Sequence, residues 1–295
     1  MNHKLFSWLL FLVLSFIWGS SFILMKEGLK ELSAYEVASM RMFTAGVVLL
    51  PFALKGFREI QRKETGLIIL TGLLGSFIPA ILFCVAETKI DSALAGMLNT
   101  LTPLLVITAG ALFFNSPVQW KKLLGVLVGF SGMLLLFFAK NGNTSSSNLF
   151  FASLILIATF CYGLNVNILN KYLKHISSIH IAAVAFVSLI VPSLIILIAS
   201  GYLQHSFKDL AFIKATAASA VLGVFGTAVA SVLFYMLMKR AGPLFSSMVT
   251  YGVPFVAVMW GLLAGETITL FQIVGLHIIL SGVYLANRPD RERRN

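Results

Sequence analysis

GLLGSFIPAILF, residues 72 to 83, is an apolar stretch with small residues at short intervals. The chain writes nearly the same pattern 151 positions later, as GVFGTAVASVLF at residues 223 to 234. The match continues without a gap as far as Pro103 and Pro254, so one register covers two consecutive apolar segments. Such internal similarity predicts a duplicated structural unit.

The segments on either side of this stretch repeat as well. At an offset of 144, the matched residues are Phe16 with Phe160, Gly19 with Gly163, and Ser33 with Ser177. Near an offset of 150, they are Gly125 with Gly275, Ser131 with Ser281, and Gly132 with Gly282. The collinear order of these matches predicts one unit of five segments, present twice.

The composition indicates the environment in which these segments lie. Of the 295 residues, 58% are hydrophobic and 11% are charged, whereas soluble domains are roughly 25% charged. Apolar stretches of about 20 residues recur, each long enough to cross a bilayer as a helix. They predict an all-α integral membrane protein with ten transmembrane helices, at 6–25, 34–54, 66–86, 93–114, 120–139, 149–170, 179–199, 213–238, 244–264 and 270–287.

The basic residues of the short loops predict the orientation. With the amino terminus in the cytoplasm, 15 of the 22 Lys and Arg residues lie on the cytoplasmic side. We therefore expect a multi-pass protein of the cell membrane with both termini cytoplasmic. The net charge of +11 is explained by this topology and by anionic lipid headgroups, so membrane lipids are expected partners and nucleic acid is not.

An odd number of helices per unit decides the geometry of the duplication. The second unit starts on the opposite face and must be inverted relative to the first. We expect a first repeat at 1–139, a polar linker at 140–148, a second repeat at 149–290 and a basic tail at 291–295. Inverted repeats are typical of secondary transporters, which bind substrate between the halves and expose it to each side in turn.

The order of several motifs resembles one known family. They are WGSSF at 18–22 with Lys26, the lone Arg41, the LTP of residues 101–103, and AGETIT at 264–269. Together they resemble the EamA type of the drug/metabolite transporter superfamily, each half resembling one EamA repeat. The resemblance implies an exporter or facilitator of amino acids and other small metabolites. The first repeat departs from the pattern in carrying Asn115 where the second has Glu266.

Polar groups inside the spans are the candidate substrate contacts, because they are costly in lipid unless they have partners or a function. Interhelical hydrogen bonding is the structural alternative for each of them. The candidates are Trp18, Ser21, Asn99, Thr100, Tyr162, Asn165, Thr250 and Tyr251. Pro103 and Pro254 follow two of these groups, and we expect helix kinks there because proline frees a backbone carbonyl one turn earlier.

Three charged residues form a second set of candidates. A cation at the bilayer centre costs roughly 2.5–3.5 kcal/mol on insertion scales, but Arg41 lies near enough to the outer end of its span to snorkel to the interface. It either pairs with Glu36 or Glu87, both expected near the same face, or contacts an anionic substrate. Glu87 and Glu36 are also candidates for proton coupling, with solvated helix ends as the alternative.

Other classes of protein are less consistent with this pattern. An intramembrane lipid-modifying enzyme needs acid, base or metal groups converging at one depth, and the sequence contains scattered single groups instead. An ion channel favours rings of like residues in an oligomer, whereas the duplication favours a monomeric carrier. The sequence predicts neither a metal site nor a cofactor. Cys84 and Cys161 lie in different spans, and we interpret them as packing residues.

Overall fold

The computed structural model describes residues 3–116, 124–125, 127–132, 135 and 146–287. Helices and short connections make up this part of the chain, and no strand occurs in it. The helices are α1 (His3–Gly28), α2 (Ala34–Glu59), α3 (Arg62–Glu87), α4 (Ser92–Phe114), α5 (Ser146–Tyr172), α6 (Ser178–Ala199), α7 (Leu210–Ser247), α8 (Val249–Leu263) and α9 (Leu270–Asn287).

Three of these helices change direction or geometry along their length. Helix α4 is interrupted between Asn99 and Thr102, and α6 is interrupted at Leu189. Helix α7 breaks at Gly242, whose φ of 87° and ψ of 167° are not helical. The residues after this break lead directly into α8, so helical structure occurs at both the predicted eighth and ninth spans.

The predicted spans agree with the observed helices over the described residues. Seven helices are long and apolar enough to cross a membrane, and the apolar helices Val249–Leu263 and Leu270–Leu285 are shorter. The predicted fifth span, 120–139, lies largely outside the described residues; 127–132 within it are helical. The all-helical membrane fold is therefore confirmed, and the protein is a multi-pass membrane protein.

The surface of the bundle is apolar, the reverse of a soluble protein. Leu12, Val191 and Ile195 are exposed on the outer surface, whereas Thr159 and Ser193 are fully buried. Lipid tails can cover such a surface without cost. These polar side chains are turned inward; the Thr159 hydroxyl donates to the Ile155 carbonyl oxygen of its own helix at 2.9 Å.

The bounds of equivalent helices follow the sequence offset of 144. Helices α1 and α5 end at Gly28 and Tyr172, and α2 and α6 begin at Ala34 and Ser178. Each pair of bounds is 144 residues apart, so equivalent sequences give equivalent helix ends.

Helices α2 and α6 pack against each other along their length. Gly46 contacts Phe186 and Ile190, while Gly56 contacts His180 and Val184. Rising residue numbers on α2 therefore meet falling numbers on α6. Two helices that are equivalent by sequence run antiparallel.

The repeated stretch adopts the same unusual conformation in both copies. Residues Leu73–Phe77 of α3 and Leu222–Val229 of α7 form π-helices within otherwise α-helical spans. Subtracting 151 from the second range gives 71–78, which contains the first. π-Helical segments are rare and frequently lie at functional sites, so both stretches direct attention to the surface they face.

Candidate functional site

Both π-helices border one central cavity. The cavity has about 860 Å³ of empty space and lies between residues of both halves of the chain. Its lining comprises Trp18, Ser21, Phe22, Met25, Arg41, Gly75, Ser76, Phe83, Asn99, Thr102, Tyr162, Asn165, Val166, Gly226, Thr227, Ser231, Phe234, Tyr235, Ser247 and Thr250. Pockets for small molecules are mostly apolar with a few polar groups, as this one is.

Aromatic rings face the cavity from both halves in matching pairs. The ring centroids of Trp18 and Phe234 are 5.2 Å apart, and those of Tyr162 and Phe83 are 6.2 Å apart. The offset of 144 relates Trp18 to Tyr162, and the offset of 151 relates Phe83 to Phe234. Each half thus contributes one aromatic residue to each pair. Both Trp18 and Tyr162 lie where the sequence placed the site.

Close backbone contacts at the cavity are reciprocal in the same way. A Cβ placed on Gly226 would lie 2.7 Å from the Ser21 hydroxyl oxygen, and one placed on Gly75 would meet the Asn165 amide. Ser21 and Asn165 are related by the offset of 144, and the two glycines by 151. The π-helix of each half therefore approaches the first helix of the other half.

Two amide side chains contribute polarity to the lining. Asn165 is 4% exposed, and its Oδ1 atom has no hydrogen-bond partner among the described residues. The Asn99 Oδ1 atom accepts a hydrogen bond from the Thr102 hydroxyl at 3.2 Å. The same hydroxyl is 2.7 Å from the Asn99 carbonyl oxygen, which the following Pro103 cannot bond. The break in α4 is thus stabilised by a side chain that also lines the cavity.

In each of the predicted polar pairs on α4 and α8, one residue lines the cavity and the other does not. Asn99 and Thr250 line the cavity, but Thr100 and Tyr251 do not. Thr100 is fully buried and its hydroxyl donates to the Met97 carbonyl oxygen. Successive residues on a helix point about 100° apart, because one turn takes 3.6 residues. Thr100 and Tyr251 therefore point in other directions than the adjacent Asn99 and Thr250.

The two prolines differ in their effect. Pro103 lies in the first turn of the helix Thr102–Phe114, directly after the break in α4. Helix α8 instead runs continuously through Pro254, and the break in this region lies before it, at Met248. This break lies about two helical turns before Pro254.

Arg41 does not form the predicted ion pair with Glu36 or Glu87. Its Nε atom donates to the Thr227 hydroxyl oxygen at 2.6 Å, and its side chain lines the cavity. Thr227 belongs to the second π-helix. A hydroxyl partner leaves the charge of the guanidinium uncompensated by this contact.

The two acidic candidates serve helix ends and lie outside the cavity lining. Glu36 accepts from the Ser33 backbone N–H at 2.7 Å in a capping box and lies 3.2 Å from His205 Nε2. Glu87 accepts from the Ser92 hydroxyl at 3.2 Å, and its second oxygen is buried without a partner among the described residues. Glu36 thus caps α2, but both carboxylates are buried and neither is the solvated helix end of the structural alternative.

Sequence reasoning missed several residues of the cavity. Ser76, Thr227 and Ser231 were not among the candidate residues, yet they line it. The repeat itself contained a usable signal, because Ser76 and Thr227 occupy equivalent positions one residue after equivalent glycines. Lys26 and Glu266 were also not predicted as partners, although their side chains are 2.6 Å apart.

The described residues contain no group of three or more His, Cys, Asp or Glu side chains that could hold a metal ion. Cys84 and Cys161 are both free and buried. The chemistry of the cavity therefore comes from aromatic rings, amides, hydroxyls and one guanidinium. These groups suit binding of a small molecule by contact and hydrogen bonding.

A multi-pass helical bundle with such a cavity between its halves has the architecture of a membrane transporter. Residues 5–138 and 149–288 match the EamA-like transporter family. The chain belongs to this family, within the drug/metabolite transporter superfamily, and the predicted resemblance is confirmed.

Individual relatives extend this similarity over almost the whole chain. An uncharacterized transporter of Archaeoglobus fulgidus is 22% identical, over 95% of this chain and 98% of its own length. A probable amino-acid metabolite efflux pump of Salmonella typhimurium is 26% identical, over 94% and 93%. A solved crystal structure with 14% identity superposes with a TM-score of 0.65, covering 95% of this chain and 96% of its own. That structure shows the shared fold.

Proposed function

We propose that the chain is a secondary transporter, an exporter or facilitator of small metabolites such as amino acids, that works by alternating access. In this proposal ten helices form two inverted five-helix repeats, at 1–139 and 149–290, joined by the linker 140–148. Substrate binds in the central cavity between the repeats. Each repeat can then adopt the conformation that the other leaves, which exposes the cavity to the two sides in turn.

The reciprocal contacts are the single observation that carries this proposal. Gly19 packs against Val253 and Val256 of α8, and Gly163 packs against Leu105 and Val106 of α4. Exchanging the halves by the offsets of 144 and 151 converts Gly19 with Val256 into Gly163 with Leu105. The aromatic pairs and the glycine contacts at the cavity obey the same exchange. A twofold relation between the repeats accounts for all of these pairs at once.

The direction of the helices supports inversion in particular. Equivalent helices of parallel repeats run in the same direction, whereas those of inverted repeats run in opposite directions. Helices α2 and α6 are equivalent and antiparallel. The described part of the fifth span adds a further case, because Gly132 contacts Gly275 while Gly125 contacts Gly282 of α9.

The topology follows from the inversion and the charge distribution. Both termini lie in the cytoplasm, with the basic tail 291–295 on that side, where anionic lipid headgroups attract it. The site is complete within one chain, so the proposed functional unit is a monomer. Substrate contacts are assigned to the predicted residues that line the cavity: Trp18, Ser21, Asn99, Tyr162, Asn165 and Thr250.

Flux into proteoliposomes tests the proposal. Purified protein is reconstituted, loaded with an unlabelled metabolite from an amino-acid panel, and supplied outside with the labelled form. A carrier gives saturable uptake and counterflow. A non-saturable current would indicate a channel instead, and chemical turnover without flux would indicate an enzyme.

A matched pair of variants links flux to the cavity. Asn99→Ala removes a lining amide, and we expect weaker apparent affinity for the transported metabolite. Thr108→Val changes a residue of the same helix that does not line the cavity and whose hydroxyl donates to the Leu104 carbonyl oxygen. We expect Thr108→Val to transport like the wild type. Equal effects of the two changes would place the transport site elsewhere.

A further inference from the structure

Arg41 is the one charged residue among the described residues that line the central cavity. It lies within the membrane-spanning helix α2, and none of the ion pairs in the described part of the chain includes it. Charged residues inside membrane helices are costly, and they either pair with each other or mark the path of a substrate. The absence of a carboxylate partner favours the second role.

The guanidinium is held in place by a neutral group. Arg41 Nε donates to the Thr227 hydroxyl oxygen, and the hydrogen of that hydroxyl is directed to the Leu222 carbonyl oxygen at 3.3 Å. This second bond spans five residues, the spacing of the π-helix. Thr227 is therefore oriented as an acceptor for Arg41. One N–H is used, and the fork of the two terminal amino groups is free of any carboxylate in the described part of the chain.

A second polar group of the cavity, Asn165, has one acceptor atom without a partner, although its side chain bonds that of Tyr235. Asn165 is more than nine-tenths buried, lines the same cavity, and has no hydrogen bond to its Oδ1 atom in the described residues. Buried polar atoms in folded proteins almost always have a partner. An N–H or O–H group of a bound molecule would satisfy this acceptor.

The remaining walls are suited to an apolar body. Trp18, Phe22, Phe83, Tyr162 and Phe234 surround the space between the polar groups. These aromatic rings offer a large apolar contact area to a bound molecule. A molecule with one charged end and one apolar end fits this arrangement.

The positive charge of Arg41 has no equivalent in the second half of the chain. The offset of 144 relates Arg41 to Ala185, which is fully buried and packs against Gly72. The reciprocal contact in the other half is Arg41 against Gly223. A single guanidinium matches the single charge of a carboxylate in bidentate geometry, whereas a phosphate monoester carries about −1.5 to −2.

We propose that Arg41 binds the carboxylate of the substrate, and that the substrate is a small monocarboxylic acid with an apolar body and a hydrogen-bond donor for Asn165. This inference rests on the proposed function, in which the central cavity is the transport site. Thr227 is then a positioning residue, because it acts through the guanidinium.

Thermal stabilisation of purified protein tests the carboxylate directly. The probes are L-phenylalanine, L-leucine and 3-phenylpropanoate, each compared with its primary amide, together with phenyl phosphate. We expect at least one carboxylate to raise the Tm more than its amide does, and phenyl phosphate to have no effect. Amides that stabilise as well as their acids, or a panel without a carboxylate-selective shift, would overturn the proposal.

Variants separate the charge from the fold. Arg41→Gln removes the charge, and we expect a Kd for the carboxylate that is about 10- to 100-fold weaker. Arg41→Lys keeps the charge without the planar fork and is expected to be intermediate. Thr227→Val is expected to weaken binding less than Arg41→Gln. Arg58→Gln removes an exposed charge at the end of the same helix and is the matched control.

Flux distinguishes a failure of this inference from a failure of the proposed function. Proteoliposomes that counterflow only neutral or cationic metabolites would sink the Arg41 assignment and leave the carrier in place. Carboxylate binding that depends on Arg41 without any saturable flux would do the reverse. Arg41→Gln protein that elutes as a single species but binds the acids like wild type rules out the assignment without any doubt about folding.

Discussion

Lys26 Nζ lies 2.6 Å from Glu266 Oε1, which joins α1 to the segment between α8 and α9. The same carboxylate accepts from the backbone N–H groups of Ser92 and Ala93, in the first turn of α4, at 3.3 and 3.2 Å. The equivalent positions in the other half are Asn170, Asn115 and Pro243. Two asparagines cannot form an ion pair, and Pro243 has no backbone N–H to donate.

The Lys26–Glu266 pair predicts a dependence of stability on pH. Burial by itself raises the pKa of Glu266, but the hydrogen bonds from Lys26, Ala93 and Ser92 and the charge of Lys26 outweigh it, so the pKa is lowered from 4.5. A carboxylate with a lowered pKa stabilises the folded state above its unfolded pKa, and this contribution is lost as pH falls through the folded pKa. Thermal unfolding at pH 7 and at steps below pH 4.5 measures it.

Glu266→Gln isolates this contribution. We expect a loss of about 1–2 kcal/mol at pH 7, because charge-assisted hydrogen bonds become neutral ones, and a smaller further loss in acid than wild type shows. Glu31→Gln changes an exposed acid near the same connection and should leave both values unchanged. An identical acid profile for Glu266→Gln and wild type would contradict the assignment.

Because α4 and α5 pack closely at Gly163, one added methyl group there should lower the stability of the protein. A Cβ on Gly163 would lie 2.7 Å from the Leu105 carbonyl oxygen and 2.9 Å from its carbon. The obstacle is backbone, so the helices must separate. We expect Gly163→Ala to lower the stability by about 1–3 kcal/mol, the usual cost of overpacking. Fluorescence-detected size exclusion after heating gives the measurement.

Gly66 provides the matched control for this change. It is also helical, and a Cβ placed there meets nothing within 4 Å. Gly66→Ala should be neutral or stabilising by up to about 1 kcal/mol, the difference in helix propensity. Gly163→Ala protein as stable as Gly66→Ala protein would show that the two helices do not approach so closely.

Trp18 predicts a spectroscopic signal for substrate binding. Its indole lines the cavity and its Nε1 donates to the Gly226 carbonyl oxygen at 3.2 Å. Substrate that enters the cavity should change its fluorescence, and Trp18→Phe should remove most of that change. Trp8→Phe is the comparison, because Trp8 is exposed and packs on Phe245. A change that survives Trp18→Phe and disappears in Trp8→Phe would contradict cavity binding.

The inverted arrangement predicts the sidedness of two exposed lysines. Cys84 and Cys161 are buried, so a background without them can carry single cysteines at Lys63 or Lys208. A membrane-impermeant maleimide should label position 63 from the cytoplasmic side and position 208 from the opposite side. Labelling of both from one side would rule out the proposed topology.

Much of the fold could be predicted from the sequence because lipid imposes a simple rule on it. Every backbone group must be satisfied within the membrane, so an apolar stretch of sufficient length becomes a helix. The observed bounds Ala34–Glu59 and Ser178–Ala199 contain or nearly match the predicted spans. The equivalences between residues followed from the offsets alone. The offset of 144 relates Trp18 to Tyr162, and both residues line the cavity.

The rotation of each helix about its axis was harder to predict from the sequence. A sequence gives the spacing of residues along a helix, but the neighbours decide which side faces the cavity. Thr100 and Tyr251 were therefore assigned with Asn99 and Thr250, although only the latter two line the cavity. With α-helical spacing, Gly72 and Ser76 would lie on one face of α3. The π-helix between them shifts that spacing, and Ser76 faces the cavity while Gly72 faces Ala185.

The partner of Arg41 also could not be predicted from the sequence. Arg41 had two acidic candidates near its end of the bundle, and both are committed elsewhere, Glu36 to Ser33 and Glu87 to Ser92. The partner it does have, Thr227, is 186 residues away and carries no charge. Only the packing of α2 against the second π-helix brings the two together.

The π-helices also show how the two halves of the chain share the walls of the cavity. A π-helical segment is closed by i→i+5 hydrogen bonds in place of the i→i+4 bonds of the α-helix around it. The segments Leu73–Phe77 and Leu222–Val229 overlap in register at the offset of 151, and both border the cavity. Two facing walls are therefore built from one local geometry, so a bound molecule meets the same backbone distortion on either side of it.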